Sequence, residues 1–153
     1  MKQLSITNAT DVCVDVENLN SVLLDVKVAL GITRSIAIRL VDSNEMVGLN
    51  TTFRDCPENT DVLTFPSGLD DPLPIGDIAI SISYAVDQAG IRGVTVDNEL
   101  AALVVHGCLH LVGYDDLNDQ DRKAMQEKMN EVGTTIGIPI DGEWTSILHQ
   151  DNE

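Results

Sequence analysis

The chain has 153 residues, the length of one ordinary domain, and 43% of them are hydrophobic, enough for a packed interior. Its net charge of −16 argues against a protein that coats nucleic acid through a broad basic face, while leaving room for a local positive pocket. Three scattered cysteines, Cys13, Cys56 and Cys108, form neither a disulfide framework nor a Cys-rich zinc site, and read as reduced thiols of a cytoplasmic protein.

Met1–Ser5 lacks a signal-peptide apolar core, and no stretch approaches the roughly 20 apolar residues of a membrane span. Gln3–Thr7 alternates and predicts a first strand. From Asn18 to Leu30, apolar residues recur at helical spacing, with Gly31 as the stop. Ile36, Ile38 and Leu40 predict a second strand, and Asp42 with Glu45 a capping box opening a helix that carries Met46, Leu49 and Phe53.

Asp55–Asn59 reads as a loop, Asp61–Phe65 as a short strand ended by Pro66, and Gly68–Pro74 as an acidic turn-rich loop. Ile75–Ile82 predicts a further strand, followed by a helix through Gln88 that Gly90 and Gly93 break. Thr95 is a good N-cap for a helix over Val96–Val112 that ends at Gly113, and Asn118 for a last helix carrying Met125, Met129, Val132 and Ile136.

Strands and helices mix without a regular βαβ rhythm. The expected fold is therefore α+β: a small mixed sheet of about four strands packed with about five helices, one domain over residues 1–140. Residues 141–153 read as an acidic tail in which Trp144 could dock and His149 is solvated. No Gly-rich phosphate loop or dinucleotide fingerprint occurs.

The chemistry concentrates in His106-Gly-Cys-Leu-His110-Leu-Val-Gly113-Tyr-Asp-Asp116. His106 and His110, at i and i+4, share one helix face, where two imidazoles can bind one metal ion. Gly113 permits a sharp turn, after which Asp116 can swing back as third ligand; Asp115 competes for that role. Three protein ligands leave a coordination position open, as a catalytic site requires. The spacing also occurs in metzincin proteases, which carry a glutamate base directly after the first histidine. Gly107 stands there, so a peptidase reading lacks its base.

The same block resembles the signature of the YbeY family, bacterial endoribonucleases of ribosomal RNA maturation. Leu49-Asn50 with Phe53-Arg54, Thr60-Asp61-Val62-Leu63-Thr64-Phe65-Pro66 and Ile75-Gly76-Asp77-Ile78-Ala79-Ile80-Ser81 resemble its other blocks in order and spacing. Together they extend the resemblance over about residues 34 to 137. The chain departs from the family at Asp116, where a third histidine is usual, and more mildly at Thr64 and Asn59, where serine and proline are usual. A carboxylate ligand leaves zinc as first choice and makes manganese or iron(II) more acceptable.

The resemblance implies a single-strand-specific, metal-dependent endoribonuclease acting on ribosomal RNA in small-subunit maturation, with small-subunit ribosomal proteins as further partners. It makes Arg54 the catalytic arginine, pairing with phosphate oxygens, and His106, His110 and Asp116 the metal ligands. Asp61 and Thr64 either line the same cleft or serve strand and turn. Asp77 is expected to order a turn, Tyr114 to pack near the metal and Asp115 to orient a ligand histidine from behind. A basic cleft around Arg54, Arg34 and Arg39 is one way to reconcile RNA with the acidity; docking on a basic ribosomal protein and a high-salt cytoplasm are others. Competing readings are a metal-stabilised ribosome assembly factor with little catalysis and a metallohydrolase of another substrate.

Overall fold

The computed structural model describes residues 5–140 and Trp144. Apart from Trp144, the residues of the expected acidic tail, His149 among them, lie outside the described residues. The elements run β1 (Ile6–Asn8), α1 (Val16–Leu30), β2 (Ile36–Val41), α2 (Ser43–Arg54), β3 (Val62–Pro66), β4 (Gly76–Ser81), α3 (Ile82–Arg92), α4 (Val96–Leu111) and α5 (Asp119–Ile136). Among the described residues this is the expected α+β composition, with four strands and five helices.

The sheet order is β1-β2-β4-β3. β1 pairs parallel with β2, β2 parallel with β4, and β3 antiparallel with β4. The β1-α1-β2 stretch is thus a βαβ crossover that the irregular rhythm of the sequence conceals. β3 forms an edge, which accommodates Pro66 inside the strand, opposite Gly76, because an edge proline removes no ladder bond that the sheet needs.

Alternation decides which face each strand residue joins. Ile36, Ile38 and Leu40 of β2 and Ile78 and Ile80 of β4 enter the main core, which α1, α4 and α5 fill with Leu23, Val26, Leu103, Leu109, Met125 and Met129. Val41, Leu63 and Ala79 instead meet Met46 of α2 in a smaller cluster on the other face. Helix α4 is buried on nearly every side, from Glu99 to Leu109, and is the central helix of the molecule.

Local details correct the sequence reading in three places. Gly90 lies inside α3, which continues to Arg92 and stops at Gly93 in the left-handed region with φ 75°. The capping box at α2 is half formed: Asp42 accepts from the Glu45 N–H at 2.8 Å, but the Glu45 carboxylate binds Arg39 at 2.6 and 3.2 Å instead of reaching back. A bidentate charge-assisted pair outcompetes a bond to a neutral backbone N–H. Asp77 is an exposed residue of β4 facing Phe65 and Ala37 across the ladder rather than part of a turn.

Candidate metal centre

Helix α4 starts on Thr95, whose side chain accepts from Asn98 N–H at 3.1 Å, with Asp97 and Glu99 in its first turn. Its last two turns carry His106, buried, and His110, half-buried. Gly113, with φ 106°, reverses the chain immediately afterwards. The side-chain donor atoms of His106, His110 and Asp116 then lie within 4.8 Å of one another, and among the described residues they are the group that could hold a metal ion.

The spacing fits such an ion. The two Nε2 atoms are 3.1 Å apart. Two nitrogens at tetrahedral angles around one zinc-sized ion would be separated by about 3.3 Å. Two imidazoles and a carboxylate are a donor set that divalent transition metals accept. Asp115 is engaged differently: its Oδ1 accepts from the Asp116 N–H at 2.9 Å, so it shapes the loop that presents Asp116 instead of orienting a histidine. Burial pushes the thiol of Cys108 up to about 12, which marks it as a packing residue and not a ligand.

The triad opens into a cleft of about 990 Å³. The end of α2 contributes Arg54, β3 contributes Val62 to Thr64, and α5 contributes Arg122, Met125, Gln126 and Met129. Arg54, Asp61, Thr64 and Tyr114, all singled out from sequence, share this cleft with the histidines. Arg54 Nη2 donates to the Thr64 carbonyl at 3.4 Å, which ties its guanidinium to the β3 edge. Asp61 is buried, and its Oδ1 accepts from the Val62 N–H at 2.8 Å. Burial first, and then the nearby charges of Asp61 and Glu58, push the Tyr84 hydroxyl well above its ordinary range.

Arg34 and Arg39 do not line the cleft, so the basic cleft built from them is not formed. Arg34 donates to the carbonyls of Leu69, Leu73 and Pro74 and anchors the loop between β3 and β4. Arg39 is held by Glu45. Both found local acceptors nearer than the cleft.

Two residues of the cleft escape sequence reasoning. Arg122 looks like one half of a surface i, i+3 pair with Asp119, at 3.1 Å, and nothing in its spacing points to the histidines. For Trp144 the sequence predicts no more than a docking residue in the tail. It is buried against the His106 ring, with centroids 5.0 Å apart, and the Arg92 guanidinium lies 4.7 Å from its ring centre. Arg92 in turn pairs with Glu99 at 2.9 Å, and Gln88 donates to the same carboxylate at 2.9 Å. Burial raises the Glu99 pKa, against the opposing pull of Arg92. No described helix is long and apolar enough to cross a membrane.

Comparison with known proteins agrees with this architecture. The family model described as "Endoribonuclease YbeY" matches residues 3–137. Proteins named Endoribonuclease YbeY are similar to this chain: that of Carboxydothermus hydrogenoformans is 37% identical, covering 87% of this chain and 96% of the relative. That of Caldicellulosiruptor bescii is 35% identical, covering 67% of this chain and 73% of the relative. The solution structure of a Thermotoga maritima protein superposes with a TM-score of 0.63 at 31% identity, covering 86% of this chain and 89% of the other. With the family model spanning every element from β1 to α5 and relatives above 30% identity over most of their length, the chain belongs to the YbeY endoribonuclease family.

Proposed function

We propose that the protein is a divalent-metal-dependent endoribonuclease that cuts single-stranded RNA in the cleft, with ribosomal RNA during small-subunit maturation as its natural substrate and the cytoplasm as its place of action. His106, His110 and Asp116 hold the ion, zinc being first choice, and Arg54 is the catalytic arginine. The observation that carries this reading is the convergence of the three donor groups within 4.8 Å in a cleft that Arg54 also lines. Family membership supplies the reaction class.

The chain's own residues divide the work. When bound, a divalent ion would polarise a phosphate oxygen of the RNA backbone. Arg54 offers a planar fork of N–H donors to the same phosphate and offsets charge that builds as the bond to phosphorus forms. Its bond to the Thr64 carbonyl limits its freedom before substrate arrives. Trp144 covers one side of the His106 ring and limits its freedom. The Asp115 bond to the Asp116 N–H holds the turn from which the third ligand projects.

The test is cleavage of single-stranded RNA by purified protein, with and without metal, beside elemental analysis. Arg54→Ala is expected to lower kcat by about 10²–10³-fold while metal content stays at the wild-type level. His110→Ala is expected to lose both metal and cleavage, and Asp116→Ala to lose metal occupancy. Cleavage that persists in both Arg54→Ala and His110→Ala would mark a contaminating nuclease and sink the reading. Full occupancy in Asp116→Ala would remove that residue from the ligand set.

A further inference from the structure

The chain has nine Lys and Arg against 25 Asp and Glu, so each cation placed in the cleft matters. Four of the described cations are committed elsewhere: Arg34 to loop carbonyls, Arg39 to Glu45, Arg92 to Glu99, Lys128 to Glu131. Among the described residues, the lysines and arginines that line the cleft are Arg54 and Arg122. They arrive from separate elements. Arg54 ends α2 and is tied to β3, whereas Arg122 sits in the first turn of α5, just after the loop that carries Asp116.

A formal charge count of the cleft, with one divalent ion bound, favours a role for the second arginine. Glu58, Asp61, Asp115 and Asp116 all line it. One divalent ion and Arg54 leave one of those four negative charges uncompensated, and Arg122 cancels it. Without it, a phosphodiester chain would approach a net negative site in a molecule of net charge −16, which repels polyanions at long range. Arg122 is also available. Its bond goes to Asp119, whose side chain is 99% exposed, and an exposed i, i+3 pair is worth little and exchanges readily for a phosphate.

Resting on the endoribonuclease reading, we propose that Arg122 is a second phosphate-binding residue. It holds the RNA backbone at a phosphate other than the one Arg54 engages, so that single-stranded RNA is clamped at two points across the cleft. Arg122 fixes the strand's position and Arg54 acts on the reacting phosphate. Neutralising a phosphate of single-stranded RNA releases counterion, and the logarithm of affinity then falls with the logarithm of salt by about 0.7 per contact.

The experiment measures KM and kcat for a single-stranded RNA oligonucleotide with zinc-loaded protein across a series of NaCl concentrations. Arg122→Ala is expected to raise KM about tenfold with kcat within about twofold, and to make the salt slope of 1/KM shallower by about 0.7. Arg122→Lys should keep the slope, since the charge remains, while losing part of the affinity. Lys128→Ala makes the same charge change on the same helix outside the cleft and should leave the slope at the wild-type value. Asp119→Asn, which releases Arg122 from its carboxylate, should lower KM. A slope and KM in Arg122→Ala matching Lys128→Ala, with the wild type cleaving normally, would overturn the clamp and leave the endoribonuclease reading intact. No cleavage by the wild type overturns both.

Discussion

Gly107 follows the first candidate ligand histidine, and the residue it faces explains why no side chain stands there. A Cβ at this position would lie 3.0 and 3.1 Å from the Cδ1 and Cγ2 atoms of Ile78 on β4. The backbone of α4 is pressed onto the sheet at the turn that carries His106 and His110. The position that a metzincin uses for its general base is here a packing contact. Gly107→Ala is therefore expected to destabilise the fold by about 1–3 kcal/mol, because Ile78 must give way by a few tenths of an ångström or the helix must lift. Urea unfolding checks the stability. A lifted helix also moves the paired imidazoles, so zinc affinity measured against a chelator should fall in the same variant. Sequence showed that the base was missing, but not why, since the reason is a contact with a strand far away in the chain. The candidate donors are legible in the sequence: the i, i+4 spacing and the glycine turn are local geometry, and the structure brings those three side chains within 4.8 Å of one another, where they could hold an ion. The bond from the Asp116 N–H to Asp115 Oδ1, which favours Asp116 over Asp115 as the third donor, is beyond what spacing can reveal.

Helix α4 is the element from which the centre is built, and its support lies behind the ligands. Glu99 and His106 are separated by two helical turns, so they point in nearly the same direction. The Glu99 carboxylate holds Arg92, Arg92 lies over the Trp144 ring, and that ring meets His106. Gln126 of α5 donates to the Trp144 carbonyl at 3.4 Å and helps seat it. A ligand whose ring is packed on one side loses less freedom on binding an ion. Trp144→Ala is expected to weaken zinc binding by about 10–100-fold, and Trp144→Phe, which keeps a ring against His106, by much less. Chelator competition on folded protein provides the measurement; equal affinity in the alanine variant would sink this role. Helix periodicity made α4 and α5 readable with their caps at Thr95 and Asn118. It could not read the stack of Arg92, Trp144 and His106, whose members come from three parts of the chain.

Taken as a whole, the molecule separates its stabilising apolar layers from a surface rich in uncompensated carboxylate. The main core and the smaller cluster under α2 lie on opposite faces of the sheet and contain almost no charge, Glu99 with its partners and Asp61 being the buried exceptions among the described residues. Outside them the ion pairs among the described residues are exposed ones such as Arg39–Glu45, Arg122–Asp119 and Lys128–Glu131. Exposed pairs contribute little, and salt screens what they do contribute. Self-repulsion at a net charge of −16 is spread over the whole surface and opposes the compact state. The two effects of salt have opposite signs: screening the pairs destabilises, and screening the repulsion stabilises. With so large an excess of one sign the second should win. Raising NaCl from about 10 mM, where the Debye length is about 30 Å, to about 150 mM, where it is about 8 Å, is expected to raise Tm. For a chain of this size a gain of about 1 kcal/mol corresponds to about 2–4 °C. The same change weakens RNA binding, so stability and substrate affinity should move in opposite directions along one salt series. A Tm that falls with added salt would show that the ion pairs, and not the net charge, dominate the electrostatics of the fold.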